Sequence, residues 1–211
     1  MNKIAIIDYG LGNLFGLHQA CLAVGLNPII TNDKKEICNA QGIILPGVGA
    51  FGSAMENLTQ LGIIDDIKKF AKSGKTLLGL CLGMQLLMTK SYEFGEHRGL
   101  NFIEGEIQYL GKNNKKNKII KIPHIGWNTI KLNNDFNEEI LFKGLPKEFD
   151  VYFLHSFCLL SLPKKNILSK TTYEDINFYS AVKKDNIIGL QFHPENSGAM
   201  GLKLLSNAFC N

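Results

Sequence analysis

Thr76-Leu-Leu-Gly-Leu-Cys-Leu-Gly-Met-Gln85 sets a cysteine between two leucines, with a glycine two positions away on either side. A lone cysteine in an apolar run is ordinarily a small core residue. The two glycines change that reading. A strand that ends in Gly-x-nucleophile-x-Gly and turns at once into a helix is a nucleophile elbow, and small flanking residues let the two backbones approach closely. Residues 76–80 read as a buried strand and residues 83–88 as the start of a helix, so Gly79 and Gly83 flank Cys81 in that manner. Cys81 then sits at a helix N-terminus, where the macrodipole and free N–H groups favour a thiolate. The Leu82 N–H, one residue on, is expected to be an available oxyanion donor.

The neighbouring chain repeats the strand–helix alternation. Lys3-Ile-Ala-Ile-Ile7 is a short β-branched run ending at Asp8-Tyr-Gly-Leu-Gly12, and residues 13–24 follow with helical spacing and Gly25 as C-cap. Further apolar runs lie at 28–30 and 42–45, and helical spacing returns at 53–61 and 63–71. Continuous apolar strands between helices imply a parallel sheet covered on both faces. Beyond residue 100 the texture shifts to short runs at 106–110, 119–122, 127–132, 151–154, 178–182 and 187–192. These read as mostly antiparallel strands added to the same sheet, with a closing helix at 198–209. With no internal repeat or linker, the expectation is one α/β domain over residues 1–211.

Composition narrows the function classes. The chain has 211 residues, is 45% hydrophobic and 20% charged, and carries a formal net charge of +4. That charge is too mild to argue for nucleic acid, and the basic run at residues 112–118 is asparagine-rich, like a solvated loop. The five cysteines are widely spaced with no CxxC pair, against both a disulfide framework and a zinc site. The opening residues run straight into a strand without a signal-peptide h-region, and no long apolar stretch suggests a membrane span. The expectation is a cytoplasmic protein without metal or cofactor. The Gly10-x-Gly12 turn lacks the third glycine of a dinucleotide fingerprint, since Phe15 stands there.

A catalytic cysteine needs a base oriented by a third group. His18 lies on the first helix and His97 in a polar loop, and both read as surface residues. His193 stands in Gly189-Leu-Gln-Phe-His-Pro-Glu195, just past a buried strand, with a carboxylate two residues on. Pro194 disfavours a helix there, so His193 and Glu195 can face the same way. Strand C-termini are where α/β sheets carry their chemistry. Cys81, His193 and Glu195 make a candidate Cys-His-Glu triad, Glu195 fixing the tautomer of His193.

The motif Gly79-Leu-Cys-Leu-Gly-Met-Gln85, followed at distance by Phe192-His-Pro-Glu195, resembles class I (triad-type) glutamine amidotransferases. Four more segments resemble the glutaminase subunits of imidazole glycerol phosphate synthase, from histidine biosynthesis: residues 7–13, Pro46-Gly-Val-Gly-Ala-Phe-Gly52, His124-Ile-Gly-Trp-Asn128 and Tyr152-Phe-Leu-His-Ser156. The resemblance implies a flavodoxin-like three-layer sandwich. It implies that Cys81 attacks the side-chain amide of L-glutamine, that backbone amides near Val48 and Gly49 join that of Leu82 as oxyanion donors, and that Gln85, His155, Ser156 and Phe157 hold the substrate. The α-amino and α-carboxylate ends would be bound by backbone groups and an amide, without a dedicated ion pair. Trp127 and Tyr152, which alone would read as core aromatics, are implied at the face of a separate (β/α)₈-barrel cyclase that receives the ammonia. Asn196 departs from the lysine common after the triad glutamate. That leaves the glutaminase chemistry intact and opens an alternative partner, a related barrel that aminates nucleotide sugars for surface polysaccharide.

Overall fold

A computed structural model of the chain describes residues 3–113, 120–133 and 139–209. Five parallel strands run in the spatial order β2 (Asn27–Thr31), β1 (Lys3–Ile7), β3 (Gly42–Leu45), β4 (Leu77–Leu80) and β13 (Ile187–Leu190). That is the flavodoxin-like order 2-1-3-4-5, with β13 in fifth place. Antiparallel strands then extend the same sheet through β12 (Ile176–Lys184), β11 (Ile167–Tyr173), β8 (His124–Leu132) and the edge strand β9 (Glu148–His155).

The uninterrupted apolar runs have a direct cause: alternate residues of each central strand enter different cores. Ile4, Ile6, Ile44, Leu78 and Leu80 pack toward α1 (Leu14–Ala23) and α6 (Gly198–Phe209), where Leu17, Leu204 and Phe209 meet them. Ala5, Ile7, Ile43, Leu45 and Leu77 pack on the opposite face against α3 (Phe51–Gln60) and α4 (Ile64–Lys72). A strand buried on both sides has no polar face to alternate. Asn13 caps α1, its side chain accepting from Gly16 N at 3.0 Å.

The sheet expectation needs one correction. The run at 106–110 does not join the main sheet: β7 (Glu106–Tyr109) belongs to a second, four-stranded sheet with β10 (Phe157–Leu159), β5 (Lys90–Ser91) and β6 (His97–Arg98). The chain changes sheets at Ser156, whose carbonyl accepts from Leu110 N at 2.9 Å. Strands of two residues carry no periodicity, so β5 and β6 were not anticipated. Neither was β11, because buried Ser169 and Thr171 disguise its alternation, nor α2 (Lys34–Asn39), which buries only Ile37. Residues 120–122 are not strand either. Pairing starts at His124, after Pro123, which has no N–H to give a ladder. Ile119 and the basic run at 112–118 lie outside the described residues, apart from the backbone of the run's first two. Among the described residues no helix is long and apolar enough to cross a membrane, and Cys21, Cys38, Cys81 and Cys158 are free thiols.

Candidate active site

Three adjacent strands, β3, β4 and β13, deliver the site from their C-terminal ends. β4 ends at Leu80, and the next residue, Cys81, has φ 50° and ψ −107°, a conformation costing a side-chain-bearing residue about 1–3 kcal/mol. The surroundings over-determine it. Cys81 N donates to Leu190 O at 2.7 Å on one flank, and Cys81 O accepts from Gln85 N at 3.2 Å as α5 (Leu82–Leu86) begins. A Cβ on Gly83 would stand 1.8 Å from Leu45 O, and one on Gly79 would stand 2.7 Å from Gly83 O. Strand, turn and helix backbones occupy the space a side chain would need.

β13 supplies the base. Past its end, His193 N donates to Tyr152 O at 2.9 Å, tying this turn to β9. His193 Nδ1 lies 2.9 Å from Glu195 Oε1. The other nitrogen, Nε2, is buried with no hydrogen-bond partner among the described residues, as is Glu195 Oε2. Burial alone would lower the His193 pKa, but pairing with Cys81 and Glu195 outweighs it and raises the value to about 10. The sulfur itself donates to Leu154 O at 3.6 Å, and no formed hydrogen bond joins it to Nε2. His18 and His97 stand apart from this cluster, yet His97 is not a solvated loop residue. It is half-buried in β6, with its ring 6.5 Å from that of Phe51.

The loop after β3, residues 46–49, faces the elbow. Here one expectation is corrected. Leu82 N is not available; it donates to Gly47 O at 3.3 Å. The Gly47–Val48 peptide presents its carbonyl where an oxyanion would need an N–H. Tyr9, buried in the first βα turn, anchors the preceding peptide by donating from its hydroxyl to Pro46 O at 2.5 Å. A Cβ on Gly47 would come within 2.2 Å of that hydroxyl. Gly49 has φ +111°, and the nearest atom to a Cβ there is a Leu11 methyl at 3.9 Å.

A cavity of about 130 Å³ opens beside the sulfur, lined by Val48, Gly49, Cys81, Leu82, Gln85, Glu93, Leu154, His155, Ser156 and Phe157. Every residue expected to hold substrate is therefore at the cavity, though not all in the same way. Gln85 Nε2 donates to Phe157 O at 2.9 Å and to Gln191 Oε1 at 3.2 Å. The His155 ring turns inward: Nδ1 donates to Phe157 O at 3.0 Å, and Nε2 meets His124 Nδ1 at 3.1 Å. Both its nitrogens are occupied within the protein, which leaves its backbone for a ligand. Burial lowers the pKa of His155 to about 3, with His124 adding to the effect, and burial lowers that of His124 to about 4, so both rings are neutral. Sequence reasoning missed Glu93, which places a carboxylate in the cavity wall. Burial raises its pKa, opposed by the N–H of Phe51, which donates to Glu93 Oε2 at 2.7 Å, and by His97. The expected set of substrate-holding groups did not include this carboxylate. Its only signal was a glutamate following an aromatic after the elbow helix. Among the described residues no cluster of three or more His, Cys, Asp or Glu could hold a metal ion.

Beside the cavity the outer face of β8 and β9 is apolar and open. Trp127 pairs across the ladder with Tyr152, and Ile125 with Leu154; Trp127 is 58% exposed and Ile125 55%. Trp127 stands edge-on to Tyr152, ring centroids 6.3 Å apart. Asn196 is exposed on the adjoining turn, and Ser197 bridges that turn to β9, donating to His193 O at 2.6 Å and accepting from Tyr152 N at 2.9 Å.

The glutamine amidotransferase class-I pattern matches residues 5–211. A Sulfurimonas denitrificans protein described as imidazole glycerol phosphate synthase subunit HisH is 45% identical over 204 residues, covering 97% of this chain and 96% of the relative. An Aquifex aeolicus protein of the same description is 43% identical over 206 residues, covering 97% and 95%. In fold, the chain is similar to a component of the structure of PurLQS from Thermotoga maritima, with TM-score 0.72 and 20% identity over 99% of this chain and 98% of that one. Elbow, strand order and sequence relatives agree: the chain belongs to the class I glutamine amidotransferases and, within them, to the HisH subunits.

Proposed function

We propose that this chain is a single amidotransferase domain that hydrolyses L-glutamine at Cys81 and passes the ammonia to a (β/α)₈-barrel cyclase, as the cytoplasmic glutaminase subunit of imidazole glycerol phosphate synthase. The carrying observation is Cys81 at the elbow, electrostatically paired with His193, which Glu195 orients. The thiolate attacks the glutamine amide carbon, and the oxygen becomes an oxyanion. His193 gives its proton to the departing nitrogen, ammonia leaves, and a γ-glutamyl thioester remains. His193 then takes a proton from water as the water adds to the thioester, and glutamate departs as the sulfur regains its electron pair. Gln85 and the backbone of residues 155–157 position the substrate, and Glu93 meets its ammonium end.

The conformation of the 46–49 loop bears on control. With Gly47 O on the Leu82 N–H, that donor is engaged, and the Val48 N–H of the same trans peptide is directed away from it. Turning the Gly47–Val48 peptide would free Leu82 N and bring Val48 N–H inward. The apolar face of exposed Ile125, Trp127 and Leu154, with half-buried Tyr152 among them, borders the cavity and suits a docked partner that collects ammonia. Asn196 lies on the same side and bears on pairing rather than chemistry.

The test is synthesis by the reconstituted complex. Cys81→Ala should lower glutamine-dependent synthesis by three or more orders of magnitude, since members of such a unit fail together. Synthesis driven by added ammonia should persist. Glutamine-dependent synthesis retained by Cys81→Ala would overturn the reading.

A further inference from the structure

Gln191 is fully buried at the end of β13, two residues before His193, and no step above uses it. Its backbone N–H donates to Ser180 O at 2.9 Å, which holds it in register with β12. Which end of its amide faces which neighbour is decided by a group that can only accept. The Phe157 carbonyl takes a hydrogen bond from Gln85 at 2.9 Å, so the Gln85 atom there is Nε2. The same nitrogen lies 3.2 Å from Gln191, whose facing atom must accept and is Oε1. Gln191 Nε2 is thereby turned toward the Cys81 sulfur, 3.8 Å away.

We propose that Gln191 is a further catalytic residue: its side-chain N–H donates to the Cys81 sulfur and stabilises the thiolate, while its carbonyl fixes the Gln85 amide that receives substrate. The proposal rests on Cys81 being the nucleophile. An uncharged donor can sit beside the imidazolium of His193 without repelling it, which a second cation could not. A hydrogen bond to a charged sulfur is stronger than one to a neutral sulfur. The Gln191 donor therefore acts most before attack and again when the thioester expels the sulfur, and least while the thioester is intact. The other titratable groups that sense the sulfur are His193, backed by Glu195, and Tyr9.

The pH profile of Cys81 alkylation by iodoacetamide in the full chain tests this, with Cys81→Ala correcting for the other thiols. Gln191→Met keeps the volume and removes the donor. The profile should move up by about one pH unit, so alkylation below the midpoint slows roughly tenfold. Gln191→Glu is nearly isosteric and puts an acceptor against the sulfur; its shift should be the larger. A purely structural role would lower the melting temperature and leave the profile in place. In the unsubstituted, ¹⁵N-labelled chain, the Gln191 side-chain amide resonance should titrate in step with Cys81 and become silent in Cys81→Ala. Profiles of folded variants that overlie the original, or an amide resonance indifferent to Cys81, would overturn the proposal. If Cys81→Ala kept glutamine hydrolysis, the nucleophile assignment would fail instead, so the two failures are distinguishable.

Discussion

The elbow and Gly49, in the loop that faces it, both depend on glycine, for opposite reasons. Gly79 and Gly83 are needed because backbone atoms fill the space, Leu45 O standing 1.8 Å from where a Gly83 Cβ would be. Gly49 has open space around it, and only its φ of +111° calls for glycine. The first pair locks the nucleophile in a strained conformation. The second leaves the adjoining peptides free to reorient at low steric cost. Nearly touching across the cavity are a fixed half-site and an adjustable one, and the hydrogen bond from Leu82 N to Gly47 O is where they meet.

The largest expected effect tests the locked half. Gly83→Ala should destabilise the chain by about 3 kcal/mol or more, because neither backbone in contact can withdraw. The urea midpoint should fall accordingly, and glutamate release should vanish. Gly49→Ala should cost only about 1–3 kcal/mol, from its backbone angle, and should leave a folded chain. Equal losses in the two variants would show that the difference between the halves is not real.

This contrast also marks what could be read in advance. Gly79, Cys81 and Gly83 were legible because the constraint is local: a strand, a tight turn and a helix follow one another within ten residues. His193 and Glu195 were legible for the same reason, two residues apart behind an apolar strand. The loop's freedom to turn a peptide away was legible in Gly47 and Gly49, but its capture of the Leu82 N–H was not, because turning a peptide plane changes no residue. Glu93 and Gln191 were missed because their meaning comes from partners far along the chain, Phe51 for one and Gln85 for the other. A buried glutamine at the end of an apolar strand is a usable signal, since buried amide groups are nearly always hydrogen-bonded. The second sheet escaped because two of its strands are two residues long.

The next effect in size tests the adjustable half. With the Leu82 N–H held by the Gly47 carbonyl, the isolated chain should bind glutamine yet release glutamate slowly. The loss of one such donor is worth about 10²–10³ in rate. Docking of the barrel together with its acceptor should favour the turned peptide and restore that factor, a shift in population between two loop states. Glutamate release by the chain alone, then with the barrel, then with barrel and acceptor, measures it. Full-speed hydrolysis by the lone chain would mean that the Gly47 carbonyl does not hold Leu82 N in solution.

The smallest effect concerns a wall locked by protonation state rather than by backbone contact. His155 and His124 are hydrogen-bonded to each other and neutral, His124 stacked on Phe153 and Tyr173 and His155 edge-on to Phe178, with pKa values lowered from 6.5 to about 3 and about 4. In the unfolded chain both would take up protons below about pH 6.5. Their contribution to stability is thus fully present above that pH and is lost as the pH falls toward 4, at up to about 1.4 kcal/mol per pH unit for each ring. His193 behaves oppositely: its raised pKa makes a contribution that is present at low pH and lost only as the pH rises toward 10. The acid limb between pH 6.5 and 5, above most carboxylate titrations, therefore belongs mainly to the neutral pair. His124→Asn keeps a donor near the position of Nδ1 and removes one of the two titrations, so urea unfolding should show an acid limb about half as steep. Parallel limbs for the two chains would mean that the pair already carries a proton in the fold, and that the hydrogen bonds from His155 Nδ1 to Phe157 O and from Asn128 Nδ2 to His124 Nε2, 3.3 Å apart, are not both formed.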